Sequence, residues 1–174
     1  VIWTTETVVL AKNGLLQGLK LTANPFNMGI KGGVLFRKAN IPFKMTPEEE
    51  EVYRMCFNDK KFFGNNLVSL KDGDKGWKRI TLRDYQEKLL DSYDKNRWNI
   101  VMYPRQSGKT TTTAIEIVHY LTFNIDKDVV VIAQSDISVN EILSKIKEIF
   151  NNLPFFMQPG FISFTANGCI LDNG

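Results

Sequence analysis

Residues 103–113 read YPRQSGKTTTT, and the Gly-Lys-Thr within them has the form of the end of a phosphate-binding loop. A polyphosphate needs many donors at close range, and a loop that runs into a helix supplies them as backbone N–H groups. Gly108 would let the backbone approach the phosphates with no Cβ in the way, and Lys109 would set its ammonium against the β- and γ-phosphates. Thr110 would offer its hydroxyl to Mg²⁺, Thr111 a hydroxyl or amide near the α-phosphate, and Gln106 and Ser107 complete the expected contacts. Tyr103 stands where the usual pattern has its first glycine, and Pro104 stiffens the start of the loop. A guanidinium inside such a loop, here Arg105, can meet a transferring phosphate or can simply be a solvated arginine. On spacing alone, a nucleotide site and a chance Gly-Lys-Thr both remain open.

The surrounding elements favour the first. "WNIVMY" has the form of a short apolar strand buried on both faces of a parallel sheet, and the loop follows it directly. "TTTTAIEIVHYLTFN" predicts a helix with Ile115, Val118 and Leu121 on one face. "DVVVIAQ" predicts a second buried strand and "VNEILSKIKEIFNNL" a second amphipathic helix. Upstream, "LRDYQEKLLDSYDKN" predicts a helix with Tyr85, Leu89 and Leu90 inward, and "LKDGDKGWKRITL" a turn or hairpin. Thr46 is positioned to cap a helix over about 47–57 that starts at Pro47, with Glu48, Glu49 and Glu50 in its first turn and Val52, Met55 and Cys56 on its apolar side. "GFISFTANGCILDNG" predicts a hairpin turning at Asn167-Gly168. "VIWTTETVVL" reads as a short strand, and residues 1–40 show no sustained period. Strand, helix, strand, helix means α/β.

The bulk composition constrains rather than decides. The chain has 174 residues, 43% of them hydrophobic, which is enough for a core. A net charge of +3 is too slight to argue for nucleic acid. Cys56 and Cys169 match no metal-ligand spacing and read as free thiols suited to a reducing cytosol. No apolar run approaches a membrane span and no secretory signal opens the chain, so an intracellular, soluble protein is expected. The start at Val1 and the stop after "CILDNG" suggest a piece of a longer protein. His119, the only histidine, falls mid-helix and reads as structural, and Phe155 and Phe156 read as packing.

"LRDYQEKLL", "YPRQSGKTT", "VVVIAQS", "NLPFFMQPG" and "ILDNG" together, in that order, resemble the ATPase half of tailed-phage terminase large subunits, most nearly the T4 type. The resemblance runs from about Asn27 to Gly174, is densest after Ile80, and includes "NMG" and "RKANI". It implies a helicase-like P-loop NTPase fold, with residues 1–79 as a preceding segment and 80–174 as the first part of the ATPase domain. In that family the phosphate loop commonly carries an arginine and lacks the first glycine, so Tyr103 agrees with it. By resemblance Lys109 is a catalytic and phosphate-binding residue, Thr110 the magnesium ligand, and Arg105 the loop arginine that acts on the γ-phosphate. Gln86 resembles the glutamine that reads adenine, whose N6 donor and N7 acceptor an amide can pair together. Gln134 and Ser135 match the loop that couples nucleotide to DNA or to neighbouring subunits. ATP and Mg²⁺ are the implied cofactors. Double-stranded DNA, a portal protein, a small terminase subunit and further copies of the chain are the implied partners, with no membrane. The implied location is the host cytoplasm, transiently on the procapsid.

The family also needs a strand ending in two carboxylates, one for magnesium and one to activate water, and a nuclease domain. Neither is found in these residues, and Asp172 lies in the wrong context for the first. The leading expectation is therefore the ATP-binding part of a DNA-packaging motor. A helicase-like ATPase and a non-hydrolysing nucleotide-binding or assembly module are the alternatives.

Overall fold

Three of the described helices begin at a short polar side chain: Thr46, Asp59 or Ser135. The computed structural model describes residues 28–31, 34–40, 43–71, 76–165 and 168–173. Two short antiparallel strands, β1 (Met28–Lys31) and β2 (Val34–Arg37), come first. Helix α1 (Pro47–Asn58) then begins at a reciprocal cap. Glu49 N donates to Thr46 Oγ1 at 3.3 Å, and Thr46 N donates to Glu49 Oε2 at 2.9 Å. The three glutamates of its first turn face the positive end of the helix dipole, as expected. Asp59 closes the next helix, α2 (Lys60–Leu67), by accepting from Lys61 N and Phe62 N.

The expected hairpin follows as β3 (Ser69–Lys71) paired antiparallel with β4 (Trp77–Arg79). Helices α3 (Asp84–Lys95), α4 (Lys109–Phe123) and α5 (Asp136–Asn152) come next, close to their expected bounds. A 3-10 turn (Phe155–Met157) leads into β5 (Phe161–Thr165) and β6 (Gly168–Leu171), which form the second expected hairpin. Thr165 lies opposite Gly168, so Gly168 belongs to β6 rather than to the expected Asn167-Gly168 turn, and the connection is the two residues before it; these, the turn of the first hairpin and "VIWTTETVVL" lie outside the described residues.

The expected parallel sheet is not formed among the described residues. Their strands make three separate two-stranded antiparallel sheets, and the one parallel contact is an isolated bridge between Lys38 and Phe161. "WNIVMY" and "DVVVIAQ" carry no regular secondary structure, and Ile100, Met102, Val130 and Ile132 are exposed rather than buried. β-Branched, apolar residues favour a strand only where a neighbouring strand takes up their N–H and C=O groups and covers their side chains. Among the described residues no ladder reaches either segment, so the apolar pattern alone did not make a strand.

One core joins residues from both sides of position 80. Val52, Phe63, Leu90, Ile115, Val118 and Ile149 are all essentially solvent-free within it. Phe155 and Phe156 are buried, and Phe155 meets Phe43 edge to face with ring centroids 5.0 Å apart. An ionic knot ties three helices together at one edge of the core. Lys60 on α2 reaches Asp94 on α3 at 2.5 Å and Glu116 on α4 at 2.6 Å. His119 on α4 is buried and donates from Nε2 to the carbonyl of Cys56 on α1 at 2.8 Å. Burial holds its pKa below the usual histidine value, so the ring is kept neutral. Cys56 and Cys169 form no disulfide with each other. No helix among the described residues is long and apolar enough to cross a membrane.

Candidate nucleotide site

The loop between "WNIVMY" and α4 leaves ordinary backbone space twice in three residues. Gln106 has φ +62° and Gly108 has φ +82°. Left-handed residues alternating with right-handed ones turn successive N–H groups toward one side and form an anion-binding concavity. A non-glycine residue such as Gln106 is uncommon in that region, and holding it there costs on the order of 1 kcal/mol or more.

Gly108 is the N-cap of α4, where it offers no side-chain acceptor. The first turn of α4 contains no acidic residue either. The other described helices each have at least one of these: Thr46 and three glutamates on α1, Asp59 on α2, Asp84 and Glu87 on α3, Ser135 and Asp136 on α5. Among the described residues, the first-turn N–H groups of α4, at the positive end of its dipole, thus have no capping side chain and no first-turn carboxylate.

Lys109 folds back over the loop, donating to the carbonyls of Tyr103 at 2.5 Å and Pro104 at 3.1 Å. Thr110 and Thr111 follow it, both half-buried, while Arg105 and Gln106 are exposed at the loop apex. Thr112 returns its hydroxyl to Gly108 O at 3.1 Å. Among the described residues the buried hydroxyl of Ser107 has no hydrogen-bond partner.

Helix α3 braces the loop. Gln86 is 8% exposed; its Oε1 accepts from Arg83 N at 3.0 Å and its Nε2 donates to Thr112 Oγ1 at 3.0 Å. It packs so closely that a Cβ on residue 108 would sit 2.6 Å from Gln86 Nε2. Glycine is therefore required at 108 for two reasons, its φ and its neighbour. An amide has two N–H donors and two acceptor lone pairs, so Gln86 keeps one of each beyond its bonds within the chain. It lines a cleft of about 250 Å³ with Ile80, Thr81, Arg83, Ser107 and Thr111. A second cleft of about 430 Å³ adjoins it, between Arg83, Tyr85, Tyr103 and Arg105.

The fold thus gathers Gln86 and residues 105–111 around one loop. Gln134 is exposed, and Ser135 serves as the N-cap of α5, accepting from Ser138 N. Asp172 is engaged by the N–H groups of Gly160 and Asn40, and Glu116 by Lys60. Among the described residues no cluster of three His, Cys, Asp or Glu is arranged to hold a metal.

Sequence reasoning missed Tyr85 and Tyr103 as loop contacts. Tyr85 was expected to point into the core, yet it is half-buried and donates to Ser107 O at 2.7 Å. Tyr103 donates to Tyr85 O at 3.0 Å. The one available signal was a large side chain in a glycine's place.

Residues 100–174 match the family model described as terminase large subunit, T4likevirus-type, N-terminal. The match takes in the whole loop, α4, α5 and the last hairpin, and begins after Gln86. This family suggests a role in phage DNA packaging. The mixed helices and small antiparallel sheets are consistent with an α/β class. Over residues 100–174 the chain is thus similar to the N-terminal part of T4-type terminase large subunits.

Proposed function

We propose that the loop at 103–111 binds the phosphates of ATP as part of a DNA-packaging ATPase. The observation that carries this reading is the uncapped start of α4: Gly108 left-handed, no first-turn carboxylate, and Lys109 already folded over the loop. An anion there would find free N–H groups, a favourable dipole and an ammonium that need only exchange two carbonyls for phosphate oxygens. Ser107 gives further support, because a buried orphan hydroxyl costs about 1–3 kcal/mol and is relieved if the loop adjusts around a ligand.

In this reading Thr110 holds Mg²⁺, which when bound would neutralise charge between the β- and γ-phosphates. Arg105, exposed at the apex, is free to approach the γ-phosphate, from its own subunit or across a contact between copies. Gln86 forms a wall of the smaller cleft and offers its remaining N–H and lone pair to adenine. Double-stranded DNA, a portal, a small terminase subunit and a ring of like subunits are the partners, and the host cytoplasm and procapsid the setting.

Binding of a fluorescent ATP analogue tests the proposal. Lys109→Ala should lower affinity by about a hundredfold or more, with the melting temperature little changed, since the ammonium bonds only loop carbonyls. Gln86→Ala should weaken ATP about tenfold more than GTP. Unchanged ATP binding in the lysine variant removes the site; equal loss of both nucleotides in the glutamine variant leaves Gln86 as a brace alone.

A further inference from the structure

The loop is held at two points by a pair of tyrosines. Tyr103, on the rising arm, donates its hydroxyl to the carbonyl of Tyr85 at 3.0 Å. Tyr85, in the first turn of α3, donates its own hydroxyl to the carbonyl of Ser107, on the falling arm, at 2.7 Å. The two rings meet edge to face with centroids 5.4 Å apart, and Arg83 Nη1 donates to the Tyr85 hydroxyl at 3.1 Å. Both rings are half-buried, so their hydroxyls are partly screened from competing water.

We infer that Tyr85 is a positioning residue of the phosphate loop and, with Tyr103, forms a latch that replaces the missing first glycine. A glycine at that place lets the chain turn tightly; a tyrosine does not, and Pro104 restricts the next step further. The arm is fixed instead from outside, by α3. With positions 103 and 107 tied to the same helical turn and Gly108 backed by Gln86, only Arg105 and Gln106 remain untethered. The latch sets the width of the span between its two arms, holds Gln106 at φ +62° and presents Arg105 at the apex.

A change in Tyr85 acts through Ser107 O, a backbone group, and should therefore alter the phosphate cradle without touching a phosphate. This inference rests on the proposed nucleotide site for its consequence, though not for its geometry.

Two readouts on the whole chain separate the two. Trypsin cleavage after the exposed Arg105 reports loop order without nucleotide. Affinity for a fluorescent ATP analogue, compared with the same analogue of AMP, reports the cradle. Tyr85→Phe keeps the ring and removes only the hydroxyl, and Tyr103→Phe removes only the bond to Tyr85 O. Each should speed cleavage at Arg105 about five- to tenfold and weaken ATP about tenfold, with AMP affinity nearly unchanged. If Tyr85→Phe lowers the melting temperature broadly, Tyr103→Phe decides.

Cleavage unchanged in both phenylalanine variants overturns the latch. Unchanged ATP affinity with faster cleavage overturns its positioning role. If Lys109→Ala also leaves ATP binding intact, the nucleotide site has failed, and cleavage alone judges the latch.

Discussion

Helices α1 and α4 begin in opposite ways. At α1 every local device is used: Thr46 and Glu49 exchange hydrogen bonds, Pro47 occupies the first turn, and three glutamates meet the dipole. At α4 none is used: Gly108 brings no acceptor, and the first turn is lysine and threonines. A helix end that leaves its N–H groups open forgoes about 1 kcal/mol of capping. The α4 helix tolerates this because its far side is packed: Ile115 and Val118 are in the core, and Glu116 and His119 are tied to α2 and α1. Stability and availability are thus separated along one helix. The contrast teaches that an unmet cap is informative only when the rest of its helix is firmly held.

The largest expected effect comes from breaking the open end. Gly108→Ala would place a Cβ 2.6 Å from Gln86 Nε2 on a residue at φ +82°. It should cost about 1–3 kcal/mol in a denaturant titration and abolish detectable ATP binding. Normal affinity in a folded alanine variant would contradict the tight seat of the loop. Thr111→Glu converts α4 toward α1 by supplying a first-turn carboxylate. Stability should rise by about 0.3–1 kcal/mol while nucleotide affinity falls at least tenfold; a rise in both would show that the N-terminus is not where the phosphates go.

Breaking the closed end should touch stability alone. Thr46→Ala should cost about 1 kcal/mol of unfolding free energy, read by thermal or urea melting, and leave ATP affinity within error. A large change in affinity would mean that α1 and the loop are coupled more tightly than their separate caps imply.

The smallest effect concerns the contact between the two helices. Burial keeps the folded-state pKa of His119 below its ordinary value of 6.5. The unfolded chain therefore binds a proton that the folded one refuses in the window just below that value. Stability is fully present above about pH 6.5 and falls as pH drops toward the folded pKa, by at most about 1.4 kcal/mol per unit. Glu116 acts in the opposite sense: burial raises its pKa above 4.5, so protonation at lower pH favours the fold and blunts the loss there. Melting temperatures from pH 7.5 to pH 5.5 should show the decline, and His119→Gln should flatten it. A wild-type profile as flat as the variant's would mean the ring is not held neutral.

Much of the local architecture was legible without coordinates because its causes are local. Thr46, Pro47 and the glutamates mark a helix start by backbone chemistry within one turn, and Ile115 and Val118 mark a buried face by their spacing. The two hairpins follow from turn residues between apolar runs. Gly-Lys-Thr ahead of an amphipathic helix raised the expectation of a phosphate-binding loop, and those residues lie within the 100–174 family match.

What the sequence did not determine was anything requiring a partner far along the chain. "WNIVMY" and "DVVVIAQ" are strand-like in composition, yet a strand is completed by a neighbour, and among the described residues none pairs with them. Apart from a tyrosine standing in a glycine's place, nothing local showed that the Tyr85 and Tyr103 hydroxyls brace the loop, because their bonds join positions 22 and 18 residues apart. Gln86 likewise acquires its contacts with Thr112 and Gly108 only when the knot of Lys60, Asp94 and Glu116 brings α3 against α4. Periods and caps are written in neighbouring residues; strand pairing and loop bracing are decided where distant segments meet.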